Sequence, residues 1–146
     1  MGDVAIRRPS FMMDTNFQAR SSKDGFSYED VVFNHLLTIT DSIRSKVRLP
    51  EIGIEADFAY TLDGVQYYVE AKGGRQSRPG AQRTDNVKKA LVNGFLIHHW
   101  KPDARFVVYF SARPQEGLSS SRMIEAALDS HSLHEVRYLD YNGMIL

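Results

Sequence analysis

Apolar and polar positions alternate with a period of two on either side of Asp63-Gly64, and this alternation predicts a β-hairpin over residues 55–72. Asp-Gly strongly favours a two-residue hairpin turn, because both central positions of that turn need a positive φ. Leu62 then pairs with Val65, and counting outward sets Asp57 opposite Glu70 and Glu55 opposite Lys72. One face of the hairpin reads Glu55, Asp57, Ala59, Thr61 against Gln66, Tyr68, Glu70, Lys72. The other reads Ala56, Phe58, Tyr60, Leu62 against Val65, Tyr67, Val69, Ala71, an apolar surface suited to a core.

Helical periodicity flanks the hairpin. Ser27 and Asp30 resemble a capping box, and Tyr28, Val32, Leu36, Ile39 and Ile43 follow it as an apolar stripe. A short strand over residues 46–49 precedes Pro50. After Lys72, Gly73-Gly74 ends the strand, and residues 76–81 with Pro79-Gly80 read as a loop. A second helix spans residues 84–98, with Val87, Ala90, Leu91, Gly94 and Phe95 inward and Gln82, Asn86, Lys89 and Asn93 aligned along another face. Gly94 there reads as room for close packing on the sheet, since glycine weakens a helix. Residues 105–111 form an apolar strand, 119–128 a third helix and 134–140 a last strand. The order α-β-β-β-α-β-α-β predicts an α/β fold with a mixed sheet between helices. Residues 1–25, which mix Arg7, Arg8, Phe11, Met12, Met13 and Phe17 with polar spacers, read as an N-terminal arm before a single domain over 26–146.

Composition narrows the chemistry. With 18 basic and 18 acidic residues the chain has no net charge, which argues against coating nucleic acid through bulk charge. The charge is unevenly placed, however. Residues 71–90 hold Lys72, Arg75, Arg78, Arg83, Lys88 and Lys89 against Asp85 alone, a net +5 that leaves −5 on the remainder. The chain has no cysteine, which excludes disulfides and thiolate metal sites and fits a reducing cytoplasm. The first residues lack a continuous apolar stretch and no later one approaches a membrane span, so a soluble, cytoplasmic protein is expected. His35, His98, His99, His131 and His134 make no ligand set by spacing, and no Ser-His-Asp arrangement or Walker loop can be assembled.

The hairpin's polar face is the site candidate. Two carboxylates opposite each other lie about 5 Å apart at Cβ and repel. A hard divalent cation would compensate, since Mg²⁺ takes one or two carboxylates and fills its other positions with water and phosphate oxygens. Lys72 adds a cation on the same face, two residues after Glu70.

The pattern of Asp57 followed by Glu70-Ala71-Lys72 at the end of an apolar strand resembles the PD-(D/E)XK nuclease superfamily, the fold of many restriction endonucleases and Holliday-junction resolvases. Glu29 matches an acidic residue that many members carry on the helix before the hairpin, while Ala56 stands where the family name has proline. The resemblance covers residues 27–111 and implies a restriction-endonuclease-like mixed sheet flanked by helices. It implies a metal-dependent endodeoxyribonuclease in which Asp57, Glu70, Glu29 and the backbone carbonyl of Ala71 hold Mg²⁺, with Mn²⁺ as substitute. Lys72 would orient the attacking water or stabilise developing charge, leaving 5′-phosphate and 3′-hydroxyl ends. In this family the helix after the Glu-x-Lys strand borders the active site, which makes Gln82, Arg83 and Lys89 candidates beside it. With Arg75 and Arg78 they form the expected contact with DNA, in a protein expected to work as a homodimer. Restriction-type cleavage, junction resolution, a nuclease toxin acting on DNA or RNA, and a non-catalytic DNA- or protein-binding module on the same fold all stay open at this level.

Overall fold

The computed structural model describes residues 27–74 and 79–146. The expected N-terminal arm, Arg75 and Arg78 lie outside the described residues. Asp63 and Gly64 take φ values of 53° and 80°, the two positive angles that the hairpin turn demands. They join strand β2 (Ile54–Leu62) to β3 (Val65–Lys72) in the expected register, from Leu62↔Val65 to Phe58↔Val69. Strand β1 (Arg44–Leu49) pairs antiparallel with β2, while β4 (Arg105–Phe110) and β5 (Glu135–Tyr138) run parallel to β3. The result is a five-stranded mixed sheet in the order β1-β2-β3-β4-β5 with β3 at its centre.

Three helices flank the sheet. Helix α1 (Tyr28–Leu36) starts on the full capping box, with Ser27 and Asp30 each accepting from the other's backbone N–H at 3.2 Å. It ends before Ile39, earlier than the apolar stripe implied. The β-branched run Thr38-Ile39-Thr40 disfavours another turn, and the Thr38 hydroxyl donates to the His35 carbonyl at 2.6 Å. Helix α1 packs with Phe58, Tyr60, Val69, Val107 and Tyr109 on one face of the sheet. Helices α2 (Thr84–Trp100) and α3 (Ser119–Asp129) cover the other, against Ala59, Tyr68, Phe106, Val108 and Phe110. Strand β4 is buried on both faces from Phe106 to Phe110, which is why it reads as an unbroken apolar run. Among the described residues no helix is long and apolar enough to cross a membrane.

Two inward assignments need correction. In α2 the buried positions are Val87, Ala90, Gly94 and Ile97, and Phe95, one step off that stripe, is 61% exposed. Ala56 belongs with Val47, Leu49 and Ile54 in the α2–α3 core, not with Phe58 and Tyr60 on the α1 face. The face on which β2 buries its side chains therefore switches at Asp57. Lys46 marks the same switch in β1, with a φ of 54° in the left-handed region. The bend turns the apolar side of the outer β1–β2 ribbon onto the core under α2 and α3.

Gly94 is where α2 touches the sheet layer most closely. A Cβ at this position would run into the Ser132 backbone oxygen and come within 3.0 Å of Phe106 and 3.2 Å of Leu133. Overpacking of this kind costs about 1–3 kcal/mol, and alanine regains up to about 1 kcal/mol of helix propensity. Gly94→Ala is expected to destabilise the fold by about 1–2 kcal/mol. A denaturation midpoint equal to that of wild type would show that the Ser132 turn yields freely.

Candidate active site

The bend leaves Asp57 as the one residue of β2 without a cross-strand partner on either side. The β1 ladder runs through Ser45↔Phe58 and Val47↔Ala56, skipping it, and the β3 ladder stops at Phe58↔Val69. The register expected from the turn holds from Leu62↔Val65 to Phe58↔Val69, and the pairs Asp57–Glu70 and Glu55–Lys72 counted beyond it do not form, Glu55 lying opposite Arg48 of β1 instead. The Asp57 side chain fills the gap, and its Oδ2 accepts the Ala71 backbone N–H at 2.7 Å. Glu70 is 5% exposed, and its Oε2 lies 2.9 Å from the Lys72 Nζ at the end of β3.

Burial, followed by repulsion from Glu70, pushes the Asp57 carboxyl up to about 6, against the lowering effects of the Ala71 N–H and Lys72. Two acids thus share a desolvated space with a single ammonium beside them. This donor set fits a hard divalent ion, which needs only one or two carboxylates from the protein.

The strand end is held by several polymer contacts. Asn86, in the first turns of α2, donates from Nδ2 to the carbonyls of Gly73 at 3.2 Å and Gly80 at 3.1 Å. Gly74 donates its N–H to the Tyr141 hydroxyl at 2.9 Å, and the Tyr141 ring lies 5.3 Å from Tyr28 on α1. Ser111 donates its N–H to the Lys72 carbonyl at 3.1 Å. One asparagine thus ties Gly73, the residue after the end of β3, to Gly80. Sequence reasoning placed Asn86 on the polar side of α2 but gave it no work; its position four residues after Gln82 was the available signal.

The remaining candidates are spread around this centre. Glu29 is exposed in the first turn of α1, next to Tyr28, and so borders the end of β3 from the layer opposite the α2–α3 face. The fold does not draw it into a ligand cluster with Asp57 and Glu70: among the described residues no three His, Cys, Asp or Glu side chains group to hold a metal. Gln82 closes a short 3-10 turn (Gly80–Gln82) and is partly buried, while Arg83 and Lys89 are exposed at the start of α2 and one turn further on. The chain matches no family model, no curated protein and no solved structure.

Proposed function

We propose that this protein is a metal-dependent endodeoxyribonuclease on a restriction-endonuclease-like fold. The reading rests on one observation above the others: Asp57, buried Glu70 and Lys72 converge at the carboxyl end of the central strand, where the ladder opens on Asp57. The resemblance of these residues to the PD-(D/E)XK pattern supports it. So does the position outside the carboxyl ends of parallel strands, where α/β proteins commonly bind ligands.

Asp57 and Glu70, with the Ala71 carbonyl as the resemblance implies, would hold Mg²⁺ or Mn²⁺. An ion bound there supplies Lewis-acid polarisation of the phosphate and a more acidic water. The residues do the rest. Asp57 is fixed by the Ala71 N–H, Glu70 is kept in place by Lys72, and the Lys72 ammonium is the donor that orients water and meets negative charge on the phosphate. As the resemblance implies, Glu29 would complete the metal shell. A cytoplasmic homodimer would cut both strands of a duplex.

The test is a cleavage panel on linear, supercoiled, single-stranded and four-way-junction DNA and on RNA, with Mg²⁺ and with EDTA. Cleavage of DNA with Mg²⁺ or Mn²⁺, little turnover with Ca²⁺ and none in EDTA is the expected outcome. Undiminished cleavage in EDTA would contradict the mechanism. A non-catalytic module is the second reading, and the 2.9 Å ion pair that already partners Glu70 with Lys72 favours it. Binding of DNA with no cleavage under any metal would select that reading.

A further inference from the structure

The α1 face of the sheet carries polar groups that its packing does not use. Tyr60 of β2 and Tyr109 of β4 belong to the apolar core under α1 and are 5% and 1% exposed. Val136 and Tyr138 pack on the opposite face, so Glu135 and Arg137 of β5 alternate onto the α1 face, with Arg137 in register with Tyr109. The head groups of Tyr60, Tyr109, Glu135 and Arg137 all lie within electrostatic reach of one another. His35, in the last turn of α1, meets the Tyr109 ring edge-on at 5.4 Å and is within reach of Arg137. Glu70 alternates in step with Tyr68, which packs under α2 and α3, so this cluster is separate from the candidate active site.

Three atoms of the cluster have nothing in the fold to bond to. The Tyr60 and Tyr109 hydroxyls make no hydrogen bond among the described residues, and the Nε2 of His35 is buried without a partner. The Tyr28 hydroxyl in the same core, by contrast, donates to the Leu139 carbonyl at 2.8 Å. Phenylalanine at 60 and 109 would supply the same rings, and it would avoid the cost of burying a polar group unpaired. Tyr60 is also held in place, stacked on Tyr67 with centroids 4.8 Å apart and planes 10° from parallel. The Arg137 Nε donates to the Glu135 Oε2 at 2.6 Å, which leaves both Nη groups of the fork free. The Arg137 side chain is 40% exposed, so the cluster opens to solvent at the edge strand β5.

We infer that this cluster is a second binding site, one that takes a phosphate-class oxyanion. The donors decide the class. Two phenol hydroxyls, the Nη pair of Arg137 and the Nε2–H tautomer of His35 approach from β2, β4, β5 and α1, which suits a tetrahedral anion better than the two oxygens of a planar carboxylate. Burial keeps both phenols protonated, with Tyr109 pushed up to about 12, and burial followed by Arg137 lowers His35, so all three meet the anion as neutral donors. Arg105 shares this face of β4 with Val107 and Tyr109, so that with Arg137 and Glu135 the charge of the patch is +1. The inference does not rest on the nuclease reading.

The test titrates the full chain in EDTA with inorganic phosphate, and in parallel with adenosine 5′-monophosphate, against sodium chloride at equal ionic strength. It reads the melting temperature and the ring resonances of His35, assigned with His35→Gln. Phosphate should raise the melting temperature and raise the His35 pKa, because an anion beside the ring favours the imidazolium. Tyr60→Phe, Tyr109→Phe and Arg137→Gln should each weaken phosphate binding at least about tenfold. The two phenylalanine variants should melt at or above the wild-type temperature without phosphate, so that lost binding is not lost fold. Tighter binding of the nucleotide than of phosphate identifies a phosphate ester as the ligand, and equal or weaker binding identifies free phosphate; both support the site. A response equal to that of chloride, or phosphate binding that all three variants retain, overturns it and leaves water as the partner of the hydroxyls. Mg²⁺-dependent DNA cleavage by wild-type protein whose His35 ignores phosphate sinks this site alone, while phosphate binding at His35 with no cleavage sinks only the nuclease reading.

Discussion

Replacing Asp57, Glu70 or Lys72 with alanine should each lower DNA cleavage by at least about 10²–10³-fold, the range seen when one preorganised group is removed from a charged transition state. The three losses have different physical origins. Asp57 and Glu70 are the two carboxylates available to a divalent ion, and neither can stand in for the other because Asp57 is tied to the Ala71 N–H and Glu70 to Lys72. Lys72 is the only cation in an ion pair with either of them among the described residues. Alanine at position 57 also strands the Ala71 N–H, and alanine at 72 leaves the buried Glu70 without its partner, so stability changes along with activity. Asp57→Asn, Glu70→Gln and Lys72→Met keep the shapes while removing the charges. Equal losses in these variants, with wild-type circular dichroism, assign the effect to chemistry. Full activity in any two of the three positions would end the assignment.

Much of this arrangement was legible because it is local. Asp63-Gly64 sets a turn whose geometry depends on two residues, and the register follows from it by counting as far as Phe58↔Val69. Ser27 and Asp30 cap a helix through contacts three residues apart. Glu70 and Lys72 share a face because strands alternate, and their 2.9 Å contact follows.

What escaped the sequence depends on distant partners. Strict alternation put Ala56 with Phe58, but the sheet bends at Asp57 because the outer ribbon gains more by packing Val47, Leu49 and Ile54 beneath α2 and α3. That bend, not the hairpin turn, opens the ladder and gives Asp57 its contact with Ala71. Helical periodicity placed Phe95 inward beside Val87, Ala90, Leu91 and Gly94, whereas the close approach at Gly94 fixes the rotation of α2 and turns Phe95 outward. Asn86 and Tyr141 clamp the residues after Lys72 from 13 and 67 positions away, beyond any local pattern.

The metal-free protein should become less stable as pH rises from about 4 to about 6, and Asp57→Asn should remove that loss. Burial and Glu70 raise the Asp57 carboxyl from 3.8 to about 6, so between these values the folded chain holds a proton that the unfolded chain has released. Wherever the folded state binds more protons, stability falls with rising pH. The contribution is present in full below the unfolded pKa and is lost once pH passes the folded one. A shift of this size corresponds to about 2–3 kcal/mol once solvent screening of the partly exposed side chain is allowed for. Asparagine has nearly the same shape, its Oδ1 can still accept the Ala71 N–H, and it carries no charge to oppose Glu70. Urea midpoints in EDTA should therefore coincide for the two proteins near pH 4 and separate above pH 6, with Asp57→Asn the more stable by about 2–3 kcal/mol. Adding Mg²⁺ at pH 8 should raise the wild-type midpoint, because a ligand that binds only the folded state stabilises it, and should move Asp57→Asn much less. Parallel pH curves for the two proteins would mean that Asp57 and Glu70 do not strain the fold, and the case for a cation site between them would fall with that result.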